Sequence, residues 1–323
     1  MTNKSILRRN LLLGAVLLLL ILAYVLLGSF HVSLGDFFAI LGGKNIPGAS
    51  FIIREERLPR LLIGLLAGAA LGLGGTCFQL MLRNPLASPD VVGVSAASSL
   101  AVVTAMAFFG LNGLPLSITA FAGGLGATLL IILFAGRDGS SAASSRFVLS
   151  GVALAALFVA LVHYMLSRMS LYKAASASIW LTGSLGQATW QRVVILAILF
   201  ALACVALIFT ARPLHQLSLG DDLATALGIH VGRLRWAVII IGVFLTSAAV
   251  AATGPVAFVG FMAGPVVRLL MRGPDSLWGS ALMGAILVVA SDFLGREIGL
   301  PVGVITGIIG MPILLFFILK RGR

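Results

Sequence analysis

Asp292 and Arg296 stand four residues apart in an otherwise apolar stretch. One helical turn separates residues at that spacing, so the two can form a local ion pair. A carboxylate inside an apolar segment can also relay protons. His163 lies in another apolar run, Phe147 to Leu166. It can face a translocation path, or it can bond to a neighbouring helix as a neutral ring. Nucleophilic catalysis needs a serine or cysteine beside a base and an orienting group. Serines are plentiful, but no local motif pairs one with any of the four histidines. No catalytic residue and no resident metal ligand set is therefore assigned. A phosphate-binding loop needs the pattern G-x-x-x-x-G-K-[ST]. The lysines are Lys4, Lys44, Lys173 and Lys320. Lys44 follows Gly43, but Phe38 takes the first glycine position and Asn45 follows, so the chain is not expected to bind ATP that way.

Two further constellations suit protein partners. Arg57 and Arg60 are three residues apart at a helix start marked by Pro59, close enough to share one partner. With Arg296 they are expected to form a basic patch on one side of the membrane. Guanidinium forks bind carboxylates bidentately, so the patch fits an acidic protein surface. Glu55, Glu56 and Glu297 lie near enough to neutralise it from within. The stretch Leu217 to Ile229 reads as a short helix. Asp221 or Asp222 can cap its start, and Gly228 can stop it. Leu223, Ala226 and Leu227 then share one face, which either grips a soluble partner or lies on the lipid surface.

Lipid must surround the elements that hold these groups. Hydrophobic residues make up 60% of the chain and charged ones 10%, and the mean hydropathy is +1.13. Soluble domains carry roughly a quarter charged residues. The net charge of +12 does not point to nucleic acid. The basic residues fall in short clusters between apolar runs, which is how membrane topology is encoded. Cys77 and Cys204 lie in apolar runs and suggest no disulfide framework.

Spans are expected at Leu11 to Phe30, Leu61 to Leu82, Phe147 to Leu166 and Val193 to Ala211. Val91 to Ala135 holds two more, divided at Asn112, Gly113 and Pro115. Gly254-Pro255 breaks the next run into Trp236 to Thr253 and a short return from Val256 to about Leu270. Leu277 to Gly295 and Ile298 to Leu319 complete the set. The expected fold is an all-α polytopic membrane protein of about ten transmembrane helices. Residues 1–323 form a single domain, with both termini cytoplasmic and a cytoplasmic segment at about 213–235. The larger share of the 22 basic residues then falls on the cytoplasmic side.

Five stretches carry a resemblance to a known family. They are Glu56 to Arg60 (E-R-L-P-R), Arg83 to Ser95 (R-N-P-L-A-S-P-D-V-V-G-V-S), Leu219 to Gly228 (L-G-D-D-L-A-T-A-L-G), Gly254 to Arg268 and Asp292 to Gly310. The chain resembles the permease subunits of type II ATP-binding-cassette importers for iron-siderophores, haem and vitamin B12. Arg83 to Asp90 and Ile179 to Leu185 are most similar to the ferric-citrate and siderophore branch. The resemblance implies a bacterial cytoplasmic (inner) membrane protein. It implies a second permease subunit, identical or a sister chain, two ATP-binding subunits that use ATP and Mg, and an external solute-binding protein. The chain itself would bind no cofactor. Leu219, Gly220, Asp221, Asp222, Leu223, Ala226, Leu227 and Gly228 would meet the ATPase. Arg57, Arg60 and Arg296 would receive the binding protein. Asn84 and Leu86, with Ser144, Ser145 and His163, would line the path or its inner gate, Asn84 capping the next helix. His163 keeps haem open as cargo, vitamin B12 is the other alternative within the family, and an ion-driven secondary carrier is the alternative from another class. Ala257, Val266 and Met311 depart from the family pattern and make a heterodimer plausible.

The charge distribution makes a topological prediction. A cysteine at Ser218 in sealed, correctly oriented cells should resist an impermeant thiol reagent, whereas one at Gly48 should react. Strong external labelling at position 218 would invert the arrangement.

Overall fold

The structure, a computed structural model, describes residues 3–28, 30–135, 141–271 and 276–321. Among them every regular element is helical. In chain order these are α1 (Asn3–Leu26), α2 (Leu34–Leu41), α3 (Ala49–Phe51), α4 (Leu58–Leu82), α5 (Val94–Phe109), α6 (Leu114–Ala135), α7 (Ser141–Arg168), α8 (Leu171–Leu181), α9 (Trp190–Leu217), α10 (Asp221–Ala226), α11 (Val231–Thr253), α12 (Val259–Met271), α13 (Leu277–Ile298) and α14 (Val302–Arg321). A turn of π-helix, Ile52–Arg57, joins α3 to α4. Among the described residues six helical segments are long and apolar enough to cross a membrane. Four shorter apolar helices, within α1, α5, α12 and α14, accompany them. This is a polytopic membrane protein, since lipid requires each crossing to satisfy its own backbone groups.

Burial divides the helices into centre and rim. The apolar window of the segment containing α4 is 78% buried, whereas those of α7 and α9 are 22% buried. Helix α4 therefore forms the axis of the bundle. Leu149, Leu157 and Val159 of α7, and Leu202 and Phe209 of α9, stand exposed. In lipid such a surface costs nothing.

Glycine spacing explains why α4 is central. Gly64, Gly68 and Gly72 recur every four residues and so share one face. A Cβ on Gly68 would sit 2.4 Å from the carbonyl oxygen of Gly284 in α13, and one on Gly72 would sit 2.1 Å from that of Ser280. Two turns beyond Gly68 and on nearly the same face, a Cβ on Gly75 would sit 1.7 Å from the Gly260 oxygen of α12. Backbones meet here with no side chain between them. Gln79, one turn on, donates through Nε2 to the carbonyls of Gly260 and Phe261 at 3.4 and 3.2 Å.

The sequence reading put Gly254-Pro255 at a helix break, and α11 does end there. Gly254 takes φ +72° as its cap, and α12 starts at Val259. The loop from Gly254 to Phe258 packs on the ends of α8 and α14: Ser184 donates to the Thr253 carbonyl at 2.7 Å, and Gly303 to that of Gly183 at 3.3 Å. Helices α2 and α8 were not foreseen. Both are shorter than a span and lie in segments read as loops.

Replacing Gly75 by Ala should lower stability by about 1–3 kcal/mol, because the new methyl meets backbone rather than a yielding side chain. Gly126→Ala on α6, where nothing lies within 4 Å, is the control. Thermal unfolding in detergent should show a lower midpoint for the first and none for the second. Equal midpoints would remove the seam from the account.

Candidate functional site: two poles of the central helix

Helix α4 begins and ends in charged clusters. At its N-terminal pole Arg60 grips Asp292 of α13 with a bidentate fork, Nε to Oδ2 and Nη2 to Oδ1, both at 2.8 Å. Tyr24 of α1 donates its hydroxyl to Asp292 Oδ2 at 2.6 Å. Asp292 is 1% exposed. Three helices are thus tied at one carboxylate, whose charge is compensated and hydrogen-bonded as burial demands. The turn spacing suggested Arg296 as its partner, but the tertiary partner prevails. Arg296 instead donates to the Leu27 carbonyl at 2.9 Å, lies over the Tyr24 ring at 4.8 Å and pairs with Glu297 at 3.7 Å.

Arg57 is 3% exposed. It donates to the carbonyls of Val25 and Phe30, each at 2.5 Å, satisfying backbone in the last turn of α1 and just beyond it. Gly28 makes room for both guanidinium groups. At φ +131°, a Cβ there would sit 2.8 Å from Arg296 Nη2 and 3.1 Å from Arg57 Nη2. The three arginines do converge. Arg57 and Arg60 do not share a partner, and the internal partners are Asp292, Glu297 and carbonyls rather than Glu55 or Glu56.

At the C-terminal pole Arg83 caps α4 in the left-handed region, φ 50° and ψ 33°. Its guanidinium reaches Asp221 Oδ1 at 3.0 Å. Arg235 of α11 meets both oxygens of the same carboxylate, at 2.8 and 2.7 Å. Asp221 therefore anchors α10 to α4 and α11. Neither acid caps α10: Gly220, at φ +128°, occupies the N-cap with no side-chain bond. Ala224 turns inward and is fully buried. Leu219, Leu223 and Leu227 are 66%, 57% and 59% exposed, and Asp222, Ala226 and Gly228 are exposed with them. Gly228, at φ +81°, follows the helix end as expected.

Asn84 and Leu86 lie in the turn just after Arg83. Asn84 Oδ1 accepts from the Leu86 amide at 3.0 Å. It closes this turn and does not cap α5, which starts at Val94 behind Gly93. The same loop carries Asp90, which lines a cavity of about 590 Å³ with Ser95, Thr182, Phe258 and Gly303. Burial pushes the Asp90 carboxyl up, and the Ser95 hydroxyl donating to it pulls the other way. Asp90 was not singled out from sequence. Its position inside the shared stretch Arg83 to Ser95 was the available signal. His163 stands exposed on α7. Ser144 and Ser145 fall in α7, but their side chains lie outside the described residues.

Known proteins share this architecture. The model of the FecCD transport family matches residues 16–320. The ferric enterobactin transport system permease protein FepG of Escherichia coli (strain K12) is 34% identical over 92% of this chain and 91% of its own length. The Fe(3+)-citrate import system permease protein YfmE of Bacillus subtilis (strain 168) is 36% identical over 97% and 95%. A solved inward-facing metal-chelate type ABC transporter superposes with a TM-score of 0.85 at 28% identity, covering 98% of this chain and 99% of that one.

Removing the carboxylate at the N-terminal pole should be costly. Asp292→Asn should lower stability by about 2 kcal/mol or more, discounted from a fully buried pair because Arg60 is partly exposed. Glu55→Gln, at an exposed site, should change little. Thermal midpoints in detergent decide the matter, and equal midpoints would make the three-helix tie incidental.

Proposed function

The chain belongs to the FecCD transport family, and on that premise we propose that it is the permease subunit of an ATP-binding-cassette importer for an iron(III) chelate. The relatives' cargoes, ferric enterobactin and Fe(3+)-citrate, support that substrate class. We read ten crossings: α1, α4, α5, α6, α7, α9, α11, α12, α13 and α14. Both termini and α10 are then cytoplasmic, and the arginine pole faces outward in a bacterial cytoplasmic membrane. The six long and four shorter apolar helices support this count.

The observation that carries the reading is α10. A six-residue helix cannot persist alone in water. Here it is held by Asp221 between Arg83 and Arg235, exposes Leu223 and is flanked by exposed Leu219 and Leu227. That is a rigid apolar ridge at the end of the central helix. An ATP-binding subunit seated on it would transmit its movement directly to α4. ATP hydrolysis belongs to that separate subunit, two of which would serve a pair of permeases.

At the opposite pole the acidic face of a solute-binding protein would dock. Arg60 and Arg296 keep partly exposed edges, with side chains 20% and 15% exposed. Arg57 holds the ledge beneath them. The turn at Asn84 and Leu86, with the Asp90 cavity beside it, would form the inner mouth of the path.

Each leucine of the ridge should contribute roughly 1.5–3 kcal/mol when covered. Changing Leu223 and Leu227 together to Asp should release the ATPase or uncouple its hydrolysis from cargo, with the membrane helices still inserted. Co-purification and cargo-stimulated hydrolysis read this out. Normal transport by the double variant would leave α10 as a surface helix only.

A further inference from the structure

Between Asp138 and Asp221 the sequence contains no acidic residue, yet it contains five basic ones, Arg168, Lys173 and Arg192 lying between Arg146 and Arg212. All three lie at the arginine pole. Arg192 reaches the Gly113 carbonyl, Lys173 the Ala107 carbonyl at 3.0 Å, and Trp190 the Arg54 carbonyl. Cations are disfavoured on the outer side of a bacterial membrane protein, so they need a local reason there.

Arg168 and Lys173 have one in common. They border a cavity of about 440 Å³ between the ends of α5, α7 and α8, together with Tyr164, Ser170, Phe108 and Met165. Arg168 closes α7, where the helix dipole welcomes a cation. Lys173 sits in the first turn of α8, where the dipole opposes it. Ser170, the N-cap of α8, makes no side-chain capping bond, so that turn adds unspent amide donors to the same wall. Among the described residues Arg168 makes no ion pair and no side-chain hydrogen bond. Three positive features therefore converge without a carboxylate. The volume is that of a small-molecule site, and a single phosphate would leave most of it empty. Phe108, Met165 and the Tyr164 ring add apolar lining to the same cavity.

We propose that this cavity receives the anionic oxygen face, carboxylate or catecholate, of the cargo chelate and makes the permease favour negatively charged iron(III) chelates over uncharged ones. The inference rests on the proposed function and names its substrate class. Arg168 and Lys173 supply the charge-assisted donors, and the uncapped turn of α8 supplies amides.

The test uses the complete permease–ATPase complex in phosphatidylcholine nanodiscs, without binding protein. Iron(III) citrate and a ferric tris-catecholate are the anionic probes, and a ferric trihydroxamate is the uncharged one. Quenching of intrinsic fluorescence reports binding. At least one anionic probe should bind more tightly than the uncharged probe. Arg168→Gln with Lys173→Gln should weaken it roughly tenfold and leave the uncharged probe unchanged. The charge-retaining pair Arg168→Lys and Lys173→Arg should keep most of the affinity. Equal losses for both kinds of probe, or no loss, would overturn the inference. So would an effect that appears only in phosphatidylglycerol discs, which would assign the cations to lipid headgroups. Uptake of the same probes with the binding protein separates the two levels. If wild-type complex carries no iron chelate, the proposed function falls too. If it carries one and the double variant binds it unchanged, only the cavity assignment falls.

Discussion

Helices in lipid gain little by hiding apolar side chains from one another, because the solvent is equally apolar. Close backbone approach must hold them instead, and everything in this molecule hangs on one such approach. Gly68, Gly72 and Gly75 bring α4 against Gly284, Ser280 and Gly260 with no room for a single methyl group. That contact fixes the axial register of α4 against α12 and α13. The register places Arg60 opposite Asp292 at one end and Arg83 within reach of Asp221 at the other. A helix of 25 residues is about 37 Å long at 1.5 Å per residue. One stiff rod therefore joins a charged cluster at each face of the bundle.

The two clusters use the same chemistry for different ends. Asp292 is enclosed and accepts three hydrogen bonds, one from Tyr24 and two from Arg60. It ties α1, α4 and α13, with its charge met by the Arg60 guanidinium. Asp221 is about a third exposed and joins a mobile-sized piece, α10, to two long helices. Removal of Asp221 would cost less in stability than removal of Asp292, because water screens it. It would cost more in the orientation of the leucine ridge.

Much of this was legible in the sequence, for physical reasons. Long apolar runs are read reliably because each crossing must satisfy itself. Six of the long segments and the break at Gly254-Pro255 follow from that rule alone. The α10 ridge was legible because Leu223, Ala226 and Leu227 repeat at helical spacing. The partners of the charged groups were not. Asp292 looked local to Arg296, but its fork comes from Arg60, which is 232 residues away in sequence. Asp221 looked like a cap and is an anchor. Spacing predicts neighbours along one helix, whereas the glycine seam decides which helices meet. Helix α8 was missed because eleven residues carry too weak a period to stand out between two longer runs, and with it went the cationic cavity at Arg168 and Lys173.

The central claim is that movement at α10, driven by ATP, moves cargo past α4. It is tested most directly in proteoliposomes holding this chain with the proposed ATP-binding subunit and solute-binding protein. Accumulation of radioactive iron chelate against its gradient is the quantity to measure. The account predicts accumulation that needs ATP and persists when proton and sodium gradients are collapsed. Accumulation that follows an ion gradient and ignores ATP would contradict it.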